Sequence, residues 1–368
     1  MKRICFLRAG VVLCVHLQVF FVCLQAQDAT VSLLFAGDAM QHMPQVRAAR
    51  TADGYNFDSC FYLIRDKISA ADIAGVNLET TLNGKPYSGF PMFSSPDEIA
   101  VGLKNAGFDI LFQANNHVAD KGRSGLNRTI DVLDSLHIKH TGSFKSPFTR
   151  LLFHPLMIVK NGIRIAFLNY TYGTNGIPVP EPNIVNLIDT VTMRNDIIYA
   201  KMHKPDIIIA VMHWGEEYRL APSAEQRRCA DFLVRNGVRI IIGHHPHVVQ
   251  PYEVDRVNDS IRNVVYYSLG NFISNQKDLQ AGGGMMAELI IRKKNGKVEI
   301  VSCDHSLVWV NKYFANGKNH YILVPDDASP DDRIPGMTPS QWEKMNRYIE
   351  DAHVFPKAKA VGNKQPDR

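Results

Sequence analysis

The sequence predicts an α/β fold in which two packed, mixed sheets are flanked by helices. Between residues 31 and 141, apolar runs of strand length alternate with segments of helical periodicity, which is typical of a sheet with crossover helices. From residue 153 onward, apolar runs follow one another across the dipeptides Asn161-Gly162 and Asn295-Gly296, which favour hairpin turns. The 368 residues suffice for one large domain, with or without a small appendage.

The first half of the chain contains four predicted strands and three predicted helices. Phe61, Ile64 and Ile68 recur at helical spacing, and Ser95-Pro96 has the residue types of an N-cap and a first helical position. Gly107 ends the helix that follows Ser95. The predicted strands cover residues 31–36, 73–78, 109–113 and 138–141, and the predicted helices cover residues 59–70, 95–105 and 124–136.

In the second half, strands predominate. Helices are predicted over residues 189–203 and 223–236, and Gly237 suits the C-cap of the second helix. A main domain is predicted over residues 28–315, followed by an extension over residues 316–368 with one helix at 339–352 and a polar tail. Apolar runs predict strands over residues 153–159, 164–169, 207–212, 238–242, 248–254, 264–268, 285–292 and 297–304.

The first 27 residues have the layout of a secretory signal peptide. A basic start precedes an apolar run over residues 11–24, which closes on Gln25-Ala26-Gln27. The run is shorter than a membrane span needs, and His16 and Gln18 interrupt it. We therefore expect a secreted or periplasmic protein, with a retained membrane anchor as the alternative.

Charge and cysteine content exclude two classes of site. Without Lys2, Arg3 and Arg8 of the signal, 38 basic residues face 36 acidic ones, so a nucleic-acid partner is not supported. The three cysteines outside the signal, Cys60, Cys229 and Cys303, have no paired spacing, so a thiolate zinc site is not indicated.

Polar side chains that bind metals or transfer protons follow five predicted strands. Because ligands bind outside the carboxyl ends of strands in α/β sheets, we expect these side chains to converge. Their mixture of oxygen and nitrogen atoms suits a divalent metal. The five strings are Gly37-Asp38, Asn77-Leu78-Glu79, Asn115-Asn116-His117, His213-Trp214-Gly215 and Gly243-His244-His245-Pro246-His247.

The first two strings supply carboxylates. Gly37 lets the backbone turn sharply, which frees Asp38 to face the pocket. Asn77 and Glu79 lie on one face because strand periodicity is two, and Asn77 is a predicted substrate contact. Glu79 is either a metal ligand or the partner of an arginine, since an unpaired buried charge is costly. His42 either points inward or is an ordinary loop histidine.

The third string predicts proton transfer. His117 suits a general acid, Asp120 is placed to orient it, and Asn115 is assigned to the same catalytic group. Asn116 offers a carbonyl oxygen to a metal, although both asparagines are also common turn formers.

The remaining strings supply imidazoles and substrate contacts. His213 is a metal ligand or a satisfied core group, and at least two of His244, His245 and His247 are expected to contact metal or substrate. Trp214 is a wall for substrate or ordinary packing. The other predicted substrate contacts are Glu216, which with Glu217 is also a candidate for holding the His213 ring, and Asn271 in Ser268-Leu269-Gly270-Asn271-Phe272.

The sequence resembles the bacterial poly-gamma-glutamate capsule biosynthesis protein CapA family, because these strings occur in it in the same order. The third string is extended by Ala114, the fourth continues to Tyr218, and Ser268–Phe272 follows as a sixth string. The resemblance covers residues 31–272 and implies a branch of the calcineurin-type metallophosphoesterases, with a four-layer α-β-β-α sandwich around a two-metal site. It implies that Asp38 binds a first metal, Glu79 bridges and Asn116 binds the second. By the same likeness His117 is the catalytic donor, and His213 with members of the His244, His245 and His247 cluster completes the site.

Two departures from the phosphoesterase pattern qualify the expected substrate. Asp38 has no histidine two residues on, and Glu79 lacks the usual Gly-Asp-x-x-Asp frame. Phosphate esters are therefore not a required substrate. The expected cofactors are divalent ions, two in number, of manganese, zinc or iron.

The function expected from the sequence is that of a secreted, metal-dependent hydrolase or transferase. Its partner would be an anionic cell-envelope polymer resembling polyglutamate, within a membrane-associated capsule synthesis complex, and the bond cleaved an amide or a phosphoester. Arg123 and Arg219 are candidates for guiding a polyanion. The alternatives are a non-catalytic polymer-binding or export subunit and a general phosphoesterase.

Overall fold

The computed structural model describes residues 28–354 and 359–360. The predicted signal peptide at residues 1–27 and most of the predicted polar tail lie outside the described residues. Within the described part of the chain, none of the helices combines the length and the apolar character that a membrane crossing requires.

Seventeen strands and eight α-helices make up the described fold. The strands are β1 Ala29–Ala39, β2 Ile73–Leu78, β3 Ile110–Phe112, β4 Lys139–Thr141, β5 Ser143–Phe144, β6 Leu156–Lys160, β7 Ile163–Thr171, β8 Ile184–Val185, β9 Ile207–His213, β10 Ile240–His244, β11 Tyr252–Val257, β12 Ser260–Tyr266, β13 Asn271–Ile273, β14 Gly283–Lys294, β15 Lys297–Ala315, β16 Lys318–Pro325 and β17 Lys359–Ala360. The helices are α1 Met43–Ala48, α2 Arg65–Ser69, α3 Glu98–Ala106, α4 Gly122–Ser135, α5 Pro147–Phe153, α6 Thr190–Met202, α7 Ala224–Arg235 and α8 Pro339–Val354.

One continuous mixed sheet runs in the order β4-β3-β2-β1-β14-β15-β12-β10-β9-β7-β6. It has two parallel blocks, β1 to β4 and β7-β9-β10-β12. Strands β12 and β15 connect the two halves through a single register pair, Ile261 with Ile300. The predicted mixed α/β class is thus confirmed. The two predicted sheets are the two halves of one sheet, joined at the seam between β12 and β15.

The two halves of the sheet pack face to face. The ring of Phe35 on β1 lies 6.3 Å from that of Phe167 on β7, and both belong to the same inner core. On the outer face of the first half, Leu34 packs with Leu103 of α3. On the outer face of the second half, Leu168 packs with Ile197 of α6. Helices therefore cover both outer faces, in the order helix, sheet, sheet, helix.

Helix and hairpin signals in the sequence agree with the structure at several ends. Asp189 and Ser223 cap α6 and α7, each accepting a hydrogen bond from a backbone N–H three residues on. Gly107 ends α3 with φ of 111°. Asn161 and Asn295 have positive φ and begin the tight turns of two hairpins.

Two predicted helices differ from the structure. The helix predicted over residues 59–70 is a 3-10 turn at Asp58–Cys60 and the short α2, separated by turns. The apolar spacing misled because Phe61 and Ile64 are buried by tertiary packing within those turns. The predicted N-cap Ser95 is two residues too early, since α3 has Asp97 at that position and the Ser95 hydroxyl instead bonds to that of Thr80 at 2.7 Å.

Several elements were not predicted. Helix α5 buries none of its residues, so it carries no periodic apolar face against the core, and Phe153 belongs to it rather than to the following strand. The strand predicted over residues 248–254 begins only at Tyr252. Strand β16 pairs with β15 along its length, and the predicted domain division at residue 315 falls beside the turn between them; that division remains a prediction.

We expect Gly37→Ala to be strongly destabilising. A Cβ at Gly37 would lie 2.1 Å from the carbonyl oxygen of Gly270, just before the point where β13 pairs with β1. Because backbone must move on both sides, we expect a loss of about 3 kcal/mol in the free energy of unfolding by urea denaturation. Gly162→Ala is the control: its φ is 76° but nothing lies within 4 Å, so about 1 kcal/mol is expected. Equal losses in the two variants would contradict this packing argument.

Candidate metal centre

The carboxyl ends of strands from both halves of the sheet meet at one place. Asp38 on β1 is in register with Asn77 on β2, and Glu79 follows directly after β2. In the other half, His213 and His244 end neighbouring parallel strands and are in register with each other. The backbone N–H of His245 donates to Asp38 Oδ2 at 3.2 Å, which connects the two halves. Strand ends far apart in sequence therefore form one buried site.

The Asp38 carboxylate is surrounded by nitrogen atoms. Asn77 Nδ2 donates to its Oδ1 at 2.8 Å, while His247 Nδ1 lies 3.1 Å from Oδ2 and His244 Nδ1 lies 3.3 Å from Oδ1. Burial by itself raises the pKa of this carboxyl. The hydrogen bonds and charges of His244 and His247 outweigh burial and hold the pKa of Asp38 well below its ordinary value. Asp38 is therefore an ionised carboxylate inside the protein.

Glu79 lies beside Asp38 and is less well satisfied. Its Oε2 accepts from Asn77 Nδ2 at 3.3 Å, and its Oε1 has no hydrogen-bond partner. His213 Nε2 is 3.6 Å from Oε1. Burial, and then the charge of Asp38, raise the pKa of Glu79 well above its ordinary value. Among the described residues, the ion-pair partners of Glu79 are His213 and His247 and include no arginine or lysine.

Two of the histidines at the site, His213 and His245, have lowered pKa values and therefore favour the neutral form. Burial, followed by the charge of His245, lowers the pKa of His213 well below its ordinary value, and burial lowers that of His245 to about 3. His213 Nε2 lies 2.9 Å from Asn116 Oδ1, and the His213 and His245 ring centroids are 4.8 Å apart. Neutral imidazoles are the form that binds metal ions.

The residues present fit divalent metal ions. Ligand atoms of Asp38, Glu79 and His213 lie within 4.8 Å of one another, and so do those of Glu79, His245 and His247. Glu79 belongs to both groups. Buried atoms without a hydrogen-bond partner include Glu79 Oε1, His244 Nε2 and His245 Nδ1. Two adjacent buried carboxylates and unpaired imidazole nitrogens are costly without a cation, and this donor set suits manganese, zinc or iron.

His117 stands next to the metal ligands and is bound to a carboxylate. Its Nδ1 lies 2.8 Å from Asp120 Oδ2, and the Phe93 ring contacts the His117 ring edge-on at 4.6 Å. The Phe93 backbone N–H also donates to Asp120 Oδ2, at 2.6 Å. Asp120 therefore fixes the orientation of the His117 ring, as the sequence predicted.

The two asparagines before His117 have different contacts. Asn115 Nδ2 donates to Leu78 O at 2.8 Å, and its Oδ1 accepts from the His117 backbone N–H at 3.1 Å. Asn115 thus connects the end of β2 to the loop that carries His117, which is a positioning contact. Asn116 Nδ2 donates to Asn175 Oδ1 at 3.2 Å, while Asn116 Oδ1 faces His213.

Two predicted substrate contacts, Trp214 and Glu216, lie elsewhere, and a third, Asn271, lies beside Asp38 with its buried Oδ1 unpartnered. Trp214 points away from the site because side chains alternate along a strand: its indole lies in the outer core and donates to Tyr267 O at 2.9 Å. Glu216 is exposed and pairs with Arg219 at 3.4 Å. Asn271 is in register with Asp38, but its Nδ2 donates to Gln276 Oε1 at 2.8 Å. Only Asn77 of the predicted substrate contacts has its side chain among the ligands.

Two tyrosines at the site, Tyr172 and Tyr218, were not predicted as site residues. The Tyr172 ring lies 4.6 Å from that of His245, and the Tyr218 ring lies 6.1 Å from that of His247. Tyr172 directly follows β7, so the rule of strand ends, applied to that strand, would have found it. His42 lies inward, with Asn275 N donating to its Nδ1 at 3.3 Å, and burial lowers its pKa to about 4. After burial and the charge of Asp38, the charge of Glu217 also raises the pKa of Glu79.

The sequence matches a model of the family described as bacterial capsule synthesis protein PGA_cap over residues 32–276. It is 33% identical over 192 residues to a capsule biosynthesis protein CapA of Bacillus anthracis, a match that covers 50% of this chain and 44% of that protein. It is 28% identical over 296 residues to a PGA biosynthesis protein CapA of Bacillus subtilis (strain 168), covering 75% of this chain and 72% of that protein. The matched part thus spans less than half of the first relative.

Among solved structures, the fold is similar to the calcineurin-like phosphoesterase YfkN from Bacillus subtilis. The TM-score is 0.49 at 15% identity, over 89% of this chain and 97% of that chain. Haemophilus influenzae NAD nucleotidase gives a TM-score of 0.47 at 12% identity, over 89% and 68% of the two chains.

Proposed function

Because the chain belongs to the bacterial capsule synthesis protein family PGA_cap, we propose that it is an exported, metal-dependent hydrolase or transferase acting on an anionic cell-envelope polymer. The family match at residues 32–276 contains every residue of the candidate metal centre. The observation that carries the proposal is the buried Asp38 and Glu79 pair, which is enclosed by imidazoles and forms no ion pair with a lysine or arginine of the described residues. Two relatives of the chain are named as capsule or PGA biosynthesis proteins, which supports a polymer as the substrate.

The ligand atoms divide into two sets that share Glu79. Asp38, Glu79 and His213 would hold one cation, and Glu79, His245 and His247 would hold the other. Bound divalent ions polarise a scissile group and favour nucleophilic attack by water near neutral pH. Asn116 Oδ1, beside His213 Nε2, orients that imidazole and offers a further oxygen.

His117 is the proposed proton donor. Asp120 occupies Nδ1 of the ring, so Nε2 is the nitrogen that remains for proton transfer to a leaving group. The Phe93 ring and the neighbouring buried residues exclude water from this pair, and Asp120 stabilises the cationic ring before the proton leaves. For an amide bond the leaving group is an amine, which requires protonation to depart.

Export follows from the proposed substrate. A polymer of the cell envelope is met outside the cytoplasm, and the pattern of residues 1–27 is that of a secretory signal. We place the protein in the periplasm or outside the cell, beside a membrane-associated capsule synthesis complex.

Metal content and turnover of two substrates test the proposal. Elemental analysis of the purified protein is expected to find two equivalents of manganese, zinc or iron, and the protein is expected to release amino groups from poly-γ-glutamate. Bound metal without turnover of any amide or ester would instead indicate a polymer-binding subunit. Turnover of simple nitrophenyl phosphates alone, lost in His117→Ala, would indicate a general phosphoesterase. A protein without transition metal even after reconstitution would refute the metal centre.

A further inference from the structure

A basic cleft lies beside the metal centre, at the junction of the loop after β13, strand β15 and helix α8. Its volume is about 440 Å³. Four basic side chains line it, against one acidic side chain, Asp278. We call it the basic cleft, and its cationic residues are Lys277, Lys312, Lys344 and Arg347.

The four cations have no acidic partners in the part of the chain that the structure describes. None of them takes part in an ion pair within residues 28–354, although many other basic residues there do. Lys312 Nζ donates to the backbone carbonyl of Gln276, and burial lowers the pKa of Lys312 to about 8. Gathering uncompensated like charges around a concave surface creates a positive potential that attracts polyanions.

Helix α8 presents its polar residues to the basic cleft in a row. Gln341, Lys344 and Arg347 are spaced by three residues and line the cavity, while Met345 and Tyr348 are buried and fix the helix against the sheet. Gln341 Nε2 donates to Lys312 O at 3.3 Å, which connects the helix to β15. Since Lys344 and Arg347 are exposed, their charges are available to a ligand.

One loop in the lining of the basic cleft also contacts residues at the metal centre. Gln276, which lines the cleft, donates from Nε2 to the Tyr218 hydroxyl at 3.1 Å, and the Tyr218 ring contacts that of His247. Asn275, also in the lining, donates its backbone N–H to His42. A polymer seated in the cleft would therefore lie next to the metal ligands.

We propose that the basic cleft binds the carboxylates of a γ-linked polyglutamate chain and holds the polymer beside the metal centre. This inference rests on the proposed function and assigns the charged part of its substrate to named residues. Lysines act as point charges for carboxylates spaced along a chain, and the Gln341 side-chain amide matches the amide backbone of such a polymer. A phosphate-based polymer offers charge without that amide backbone.

The test measures binding separately from turnover. A labelled oligomer of γ-linked glutamate is titrated with the metal-loaded protein, and fluorescence anisotropy gives the Kd. The double variant K344Q/R347Q, at two exposed positions, is expected to raise the Kd about fivefold to tenfold, because each exposed ion pair contributes less than about 1 kcal/mol. The matched control is R228Q/R235Q, which removes two exposed arginines from α7 outside the cleft and is expected to leave the Kd unchanged.

Each outcome decides the matter. An unchanged Kd in K344Q/R347Q, or an equal loss in the control, would overturn the assignment of the basic cleft. Equally tight competition by inorganic polyphosphate would overturn the carboxylate specificity. Polymer that binds at the cleft without being cleaved would leave this inference standing while removing the hydrolase. If the protein cleaves the polymer but the double variant has an unchanged Kd, the proposed hydrolase stands and the assignment of the basic cleft fails.

Discussion

Glu79→Gln is expected to abolish metal binding and at the same time to stabilise the metal-free protein. Glu79 is fully buried, its Oε1 is unpartnered, and the charge of Asp38 opposes its ionisation. Removing this charge relieves repulsion that only a cation offsets, so we expect a gain of about 1–2 kcal/mol in the free energy of unfolding without metal. Loss of a shared ligand is expected to lower turnover by about 10³ or more.

The gain in Glu79→Gln should depend on pH. The pKa of Glu79 in the folded protein is raised, so the folded state favours the protonated carboxyl. Metal-free wild type therefore has the full contribution of this group below its unfolded pKa, and loses it as the pH rises towards the folded pKa. Glutamine does not titrate. Urea unfolding in chelator should show a difference between variant and wild type that widens as the pH rises above about 4.5.

Asp38→Asn is the matched control, because it removes the same charge from the neighbouring carboxylate. Asp38 accepts a hydrogen bond from Asn77 at Oδ1 and one from the backbone N–H of His245 at Oδ2. Asparagine has an NH2 group in place of one of these oxygens, so it cannot accept both hydrogen bonds in the same way. We expect this variant to lose metal as well, but to lose about 2 kcal/mol of stability in the metal-free state. The opposite signs of the two variants are the diagnostic result. Destabilisation by both would contradict the account of repulsion at Glu79.

His117→Gln is expected to lower turnover by about 10²–10⁴ while leaving the metal content unchanged. The ring is bound to Asp120 rather than to the ligand groups, so its loss removes proton transfer without removing a metal ligand. Steady-state turnover and elemental analysis on the same preparation measure both effects. The proposal fails if metal and turnover fall together.

A second buried histidine and aspartate pair supplies the control for His117. His154 Nε2 lies 3.2 Å from Asp196 Oδ2, in the outer layer between α5 and α6, where Arg150 and Tyr170 also contact Asp196. His154→Gln is expected to reduce stability and to leave turnover per folded molecule unchanged. This comparison separates a chemical role of the His117 pair from the cost of disturbing any buried pair of this kind.

The sequence predicts where the site lies better than it predicts which side chains belong to it. Asp38 and His244 are far apart in the chain, yet the ends of parallel strands meet at one edge, so a rule about strand ends places them together. The same rule does not say which face a side chain occupies. Trp214 directly follows His213 and therefore points the other way, into the outer core.

The basic cleft lay beyond sequence reasoning for a different reason. Lys312 and Arg347 come from a strand and a helix whose contact is decided by tertiary packing, and in the sequence they are indistinguishable from solvated surface charge. The arginines chosen from the sequence have ordinary contacts: Arg219 pairs with Glu216, and Arg123 donates to the carbonyl of Glu181. Helix α5 was missed although Phe148, Leu151 and Leu152 have helical spacing, because the strand was predicted to begin at Phe153, which is the last residue of this helix.

Because the described strands of the two halves of the sheet are paired only at Ile261 and Ile300, a metal ion bound between the halves would contribute to the stability of the fold. Asp38 and Glu79 come from one lobe of the molecule and His213 to His247 from the other, while few backbone hydrogen bonds hold the lobes edge to edge. A cation with ligands from both lobes would hold the two lobes together. If the proposed cations bind there, their removal by a chelator is expected to lower the stability of the whole molecule as well as to abolish the proposed activity.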